Sequence, residues 1–340
     1  MNGPGDDRSS PEPWVSTGHL PDQSVIARVL AEAHRDAAAI GDGEVSQVYP
    51  ALACADPEAF GIALASVDGA VLTAGDTDVP FTIMSVAKPF TWSLVCDALG
   101  PDEARARVGA NATGLPFNAT EAIERSPDGR TNPMVNAGAI AAASLVPGAT
   151  AADRWATILD GLARFAGRPL SLHEDTYASA SATNHRNREL TRLLAERGLL
   201  GCDPAEALDL YTRQSCVEVT ARDLAIMGAT LADGGVNPVT GEQVVDRAIC
   251  HVALAAMVTA GLYETSGDWM HDVGQPAKSG IGGGIVTVSP GKGALGTYSP
   301  ALDHAGNSVR GQHVARRLAR ELGLDLLASV PHPDARPPAR

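Results

Sequence analysis

"FTIMSVAKPF", residues 81–90, sets a serine and a lysine three positions apart inside an otherwise apolar run. Lysine is scarce in this chain: of 340 residues only Lys88, Lys278 and Lys292 are lysines. An ammonium among apolar neighbours such as Val86, Ala87, Phe90 and Trp92 loses hydration and gives up its proton more readily than a free one. A neutral amine one helical turn from a hydroxyl is a general base for it. If a helix begins near Ser85, Pro89 falls in the first turn, where its missing N–H is tolerated, and Ser85 and Lys88 share a face. The same spacing recurs at Ser289 to Lys292, in "SPGK". There a β-turn is expected, and the lysine reads as solvated.

Working outward, "DQSVIARVLAEAHRDAAAI" has helical apolar spacing and predicts a helix from Asp22 to Ile40. "FGIALASVDGAVLTAGD" holds two β-rich runs about Asp68-Gly69, a strong hairpin signal. Residues 101–260 are rich in Ala and Leu at helical periodicity. After them "GGGIVTVSPGKGALGTYSP" alternates β-branched runs about a Pro-Gly turn, and "NSVRGQHVARRLARELGLDLL" is a final amphipathic helix. Strands therefore flank a long helical insertion. The economical arrangement is α+β, with one antiparallel sheet built from both chain ends and a helical subdomain between them. Residues 1–20 and 326–340, rich in Pro and small or charged residues, read as disordered tails around a single domain at 22–325.

The formal charge of -14 and pI near 5.0 oppose nucleic acid or an anionic membrane as partner. No apolar run reaches the roughly 18 residues of a membrane span, and "MNGPGDDRSSPEPW" lacks the pattern of a signal peptide, so a cytoplasmic protein is expected. Cys54, Cys96, Cys202, Cys216 and Cys250 are scattered and read as small buried hydrophobes, not as a disulfide framework. The nine histidines show no ligand spacing. Neither metal nor cofactor is expected.

Two further segments bear on the chemistry. In "GQPAKSGIGGGI", Lys278-Ser279-Gly280 fits the K-[ST]-G element that accompanies S-x-x-K in penicillin-recognising serine enzymes. An edge strand there would lend backbone N–H groups to an oxyanion, and its glycines would let substrate approach the backbone. A phosphate loop would need Gly in place of Ala277 directly before the lysine. In "RTNPMVNAGAIAAASL", Asn136 is the one strong polar group in an apolar run and must bond either backbone or a ligand. The residues alone favour backbone.

Together, "VPFTIMSVAKPF", "NPMVNAGAI", "TLADGGVNPVTGE", "PAKSGIGGGI" and "SPALDHAGNSVRGQ" resemble, in order and spacing, the serine-dependent glutaminases of the β-lactamase-like fold. The resemblance spans roughly residues 22–325. It implies hydrolysis of L-glutamine to L-glutamate and ammonia through an acyl-enzyme, in a homodimer or homotetramer. It makes Ser85 the nucleophile, Lys88 its base, and Tyr263 of "GLYETSG" the proton relay at the leaving amine. Asn136, Asn187 of "HRNREL" and Tyr211 of "LDLYTRQ" would hold the substrate backbone, beside Ser85 and Tyr263. The amides of Ile281 and Ser85 would form the oxyanion hole, supported by Lys278, Ser279 and Gly280. Without the resemblance, Tyr211 and Tyr263 would read as core or interface aromatics.

Two positions depart from the family pattern. Anchored on Pro50, Val48 stands where a site tyrosine is expected, and Tyr49 falls one place late, on the opposite face if the segment is extended. Anchored on Arg186-Asn187, Ala180 stands where the family has the glutamate that receives the substrate ammonium; Glu218 and Glu264 are the alternative acids. A lesser change is the order of Ser215 and Cys216. Two further readings share these residues: an amidase for an amide lacking a free α-amino group, and an inactive ligand-binding homologue. The full set Ser85, Lys88, Tyr263 and Lys278 argues against the latter, which has no chemical need of it. A cell-wall transpeptidase or β-lactamase fits poorly, because an export signal is not evident.

Overall fold

A computed structural model of the chain describes residues 19–329. The expectations for the tails therefore fall largely outside the described residues. Within them, Leu326 donates its N–H to the Gly274 carbonyl at 3.0 Å.

Five strands form the main sheet: β1 Gly61–Ser66, β2 Val71–Gly75, β3 Ala277–Ser279, β4 Gly284–Ser289 and β5 Gly293–Tyr298. Their order is β2-β1-β5-β4-β3, antiparallel throughout. The hairpin turns at Gly69, whose φ of 89° suits glycine. The two ends of the sequence meet at the β1–β5 pair, with Gly61 opposite Tyr298 and Ser66 opposite Gly293. The sheet is thus assembled from both ends, as the sequence predicts.

Strand periodicity assigns the two faces. Ile62, Leu64, Ile285 and Leu295 point to one side and pack with Leu30 of helix α1 (Gln23–Ala38) and Leu318 of the C-terminal helix Val309–Glu321. Ala63, Ala65, Val286, Val288 and Ala294 point to the other, toward the helical subdomain. The helix nearest that face, Ala221–Ala232, lies very close: a Cβ on Gly228 would stand 2.6 Å from Ala294 Cβ and Val286 Cγ2.

Helix α2, Lys88–Leu99, is buried from Lys88 through Cys96, as an element with apolar side chains all round must be. A 3-10 turn, Met84–Ala87, precedes it, so Ser85 sits on the approach to the helix and Lys88 on its first residue. Strand pairing of Phe81–Thr82 with Glu218–Val219, and a bond from Ile83 N–H to the Val217 carbonyl at 2.9 Å, fix this entry.

The expectation of a solvated Lys292 is corrected. Its side chain is 2% exposed and donates to the Gly323 carbonyl at 2.6 Å, so it closes the turn after the C-terminal helix. A buried ammonium needs such an acceptor. The cysteines are also less uniform than expected: all five are free thiols, but Cys54 is exposed and Cys202 half-buried.

Candidate active site

Ser85, Asn136, Asn187, Tyr211 and Ile281 line one cavity of about 110 Å³, and Lys88, Tyr263, Lys278, Ser279 and Gly280 are buried without lining it. Asn136 opens helix α3 (Asn136–Ser144), Asn187 lies in the first turn of α4 (His185–Glu196), and Tyr211 lies on α5 (Pro204–Ser215). The helical subdomain thus supplies one wall, and Ile281, in the turn after edge strand β3, lies on the other with Met84 and Ser85.

The backbone around the nucleophile candidate is constrained. Met84, directly before Ser85, has φ of 48°, and Tyr263 has φ of 58°. Non-glycine residues held there cost on the order of 1–3 kcal/mol each and persist where surrounding structure over-determines them. Tyr263 is held by the Ser266 hydroxyl on its carbonyl at 2.8 Å, by the Phe117 ring at 4.5 Å, and by Lys278 Nζ at 4.2 Å from its own ring centroid. Its hydroxyl donates to the Ser279 carbonyl at 3.2 Å. Gly280 backs on the same turn: a Cβ there would meet Ile83 O at 3.0 Å and Ser85 N at 3.2 Å. Among the described residues, neither the Ser85 nor the Ile281 N–H donates to a loop or turn carbonyl. Two backbone donors at one cavity are what an oxyanion hole requires.

Lys88 is 2% exposed, and burial pushes its ammonium down from 10.5 to about 7. Nζ donates to Asn136 Oδ1 at 2.7 Å and to the Met134 carbonyl at 3.3 Å. A neutral amine has two N–H donors, so its lone pair is left for a third direction. Lys278, fully buried, donates to the Gly261 and Ser279 carbonyls at 2.7 Å each; burial first, and Lys88 second, hold its ammonium well below the ordinary value. Burial likewise pushes the Tyr263 phenol up to about 12.

Three expectations are corrected here. Asn136 does not turn to backbone: its side chain accepts from Lys88 and donates to Asn187 Oδ1 at 2.8 Å. Residues 48–50 form a bend, not a strand, so alternation does not apply, and Val48 (55% exposed) and Tyr49 both line the cavity. Neither Glu218 nor Glu264 lines it, and among the described residues no carboxylate does. Ala180 is buried in a small apolar cluster with Leu52, Met84 and Cys216. Phe117 and Asn307 carry no sequence signal that marks them for the site. Asn307 accepts from the Ser279 hydroxyl and donates to Thr265 Oγ1 at 3.0 Å, tying β3 to the Tyr263 segment. It lies in a quoted motif, but nothing local distinguishes it from a turn asparagine.

An antiparallel sheet closed from both chain ends, a helical subdomain, and a serine, a lysine and a tyrosine gathered at the sheet edge define a β-lactamase-like α+β protein. A family profile described as Glutaminase matches residues 43–327. Glutaminase 2 of Yersinia pestis is 60% identical over 319 residues, 94% of either chain, and the glutaminase of Mycobacterium ulcerans (strain Agy99) is 45% identical over 88% of this chain and 94% of its own. Among solved structures, the probable glutaminase ybaS superposes with a TM-score of 0.89 at 38% identity, over 91% of this chain and all of its own. Mglu in its glutamate form gives 0.85 at 38%, over 90% of this chain and 70% of its own. The chain belongs to the glutaminase family.

Proposed function

We propose that this protein hydrolyses L-glutamine to L-glutamate and ammonia with Ser85 as nucleophile. The observation that carries this reading is the Ser85 hydroxyl in a glutaminase-family cavity, one turn from a buried Lys88 whose ammonium is held near 7. Neutral Lys88 takes the Ser85 proton as Oγ attacks the side-chain amide carbon, and the oxyanion settles on the Ser85 and Ile281 amides. Tyr263 passes a proton to the amide nitrogen, the C–N bond breaks, and ammonia leaves. Water, deprotonated by the same groups, then cleaves the ester and returns Ser85. Asn136, Asn187 and Tyr211 hold the substrate backbone. The test is stoichiometric release of glutamate and ammonia from L-glutamine by purified protein; glutamine left unchanged by folded protein overturns the reading. The free thiols fit our placement of the protein in the cytoplasm. The homodimer or homotetramer follows from family resemblance, and light scattering of the purified protein tests it.

Because the base works neutral, kcat/KM rises with pH through the Lys88 pKa and falls about tenfold per unit below it. An acid limb near pH 7 is expected in a pH profile; a limb near 10 would mean that Lys88 is not desolvated in solution.

The missing carboxylate predicts weak discrimination. A charge-assisted bond to an ammonium is worth about 1.5–3 kcal/mol, or roughly 10- to 100-fold. Without it, glutaramate, which is glutamine lacking the α-amino group, should be hydrolysed with kcat/KM within about tenfold of L-glutamine, and Ala180→Glu should shift that ratio toward L-glutamine. A wild-type preference for L-glutamine above about 100-fold would show that another group holds the amine.

A further inference from the structure

Lys88 can only donate hydrogen bonds when charged, so the side-chain amide of Asn136 must turn its oxygen to Nζ. That choice propagates. Asn136 Nδ2 donates to Asn187 Oδ1 at 2.8 Å, Asn187 Nδ2 donates to Asn184 Oδ1, and Asn184 Nδ2 donates to Thr212 Oγ1 at 3.0 Å. Thr212 in turn donates to the Leu208 carbonyl at 2.7 Å. Every member is buried, and Asn184 makes no side-chain cap at the start of α4, although it stands there. The three amide dipoles all point their negative ends along the chain toward Lys88. In a low-dielectric interior such aligned hydrogen bonds polarise one another and favour a positive charge at the receiving end.

Resting on the reading of Lys88 as base, we propose that Asn184, fixed by Thr212, is a positioning residue that acts through Asn187 and Asn136 to set the basicity of Lys88. The proton arriving from Ser85 creates a buried ammonium with no carboxylate beside it; the ladder receives that charge. Nζ also donates to the Met134 carbonyl at 3.3 Å and lies 5.8 Å from the Tyr211 ring centroid, and both favour its charge; the ladder adds to them. Lys278 on β3 would repel it, and Tyr263 donates to the Ser279 carbonyl at 3.2 Å. The Cys216 thiol, after α5, is held up by its own burial. The helices packed on α2 at 101–108, 136–144, 151–166 and 247–260 carry no buried charged side chain; among the described residues the remaining buried ones are Asp223, Lys292 and Arg310. Asp223 is paired with Arg168.

The ladder predicts opposite shifts from two substitutions at one site. Asn184→Ala removes the acceptor that orients Asn187 and should lower the acid limb of kcat/KM by about half a unit. Asn184→Asp keeps that acceptor and adds a negative charge, so the limb should rise by about half a unit or more. Thr212→Val, which frees the Asn184 amide, should shift it in the same direction as Asn184→Ala, and it serves if the alanine variant does not fold. The same profiles are recorded for the rate of Ser85 alkylation by a glutamine-like diazoketone, so the ladder is judged even if glutamine is not the substrate. Acid limbs that stay at the wild-type value in folded Asn184→Asp and Thr212→Val, whatever happens to kcat, overturn the proposal and leave Lys88 as base untouched. Loss of the limb from the wild type itself removes Lys88 as base, and the proposal with it.

Discussion

Ser85→Ala is expected to lower kcat for L-glutamine by roughly 10⁴- to 10⁶-fold while the protein stays folded. The size of the effect follows from the surroundings of the hydroxyl. Three nucleophilic groups near it are held in check. The Tyr211 phenol is held well above its ordinary value by burial and then by Tyr49 and Tyr263, the Ser215 hydroxyl is committed to the Tyr211 carbonyl at 2.9 Å, and burial pushes the Cys216 thiol up to about 12. The substitution removes one oxygen from a residue that is already 8% exposed, so little packing is lost. Ammonia release measured beside a thermal melt checks both halves. Turnover within tenfold of wild type would place the nucleophile on another residue.

Lys88→Arg should cost about 10²- to 10⁴-fold in kcat. Arginine keeps a charge and a donor for Asn136 but cannot lose its proton in a protein, so it cannot accept one from Ser85. Its guanidinium is also larger than the site that encloses an ammonium 2% exposed, and Lys88→Met, close in length and uncharged, separates the two effects. Both variants should be nearly inactive, with Lys88→Met the more stable because it no longer carries a proton-binding group into the interior. The linkage has a definite sign. A lysine at about 7 when folded and 10.5 when unfolded binds fewer protons in the native state between those values, so wild-type stability rises with pH across that window. Lys88→Met should flatten that rise. Near-native turnover by Lys88→Arg would put the base elsewhere.

Much of the fold and of the site is legible in the sequence. Ser85 and Lys88 stand one turn apart at the entry to α2, as their i, i+3 spacing implies, and the apolar neighbours announce the desolvation that lowers the ammonium. The β-rich runs about Asp68-Gly69 and about Pro290-Gly291 encode the sheet, and β3 is the edge strand that Lys278-Ser279-Gly280 implies. Contacts made at a distance leave no such trace. Asn136 finds its acceptor role on a lysine 48 positions earlier and its donor role on Asn187, and no local pattern encodes either. Tyr49 reaches the cavity because its segment bends, a property of packing against residues near 180 and 281. Lys292 reads as a turn lysine because its acceptor, the Gly323 carbonyl, belongs to a helix end 31 residues on. Phe117 supports Tyr263 across a still longer separation.

Cleavage of glutamine through a covalent bond to Ser85 leaves a trace that mass analysis reads. The most direct measurement is intact-mass and peptide mass analysis after treatment with a glutamine-mimicking diazoketone, which loses dinitrogen as a nucleophile displaces it. One adduct per chain is expected, confined to the peptide that carries Ser85, appearing faster above pH 7 than below it and absent from Ser85→Ala. An adduct on any other residue, or none on folded protein, would contradict it.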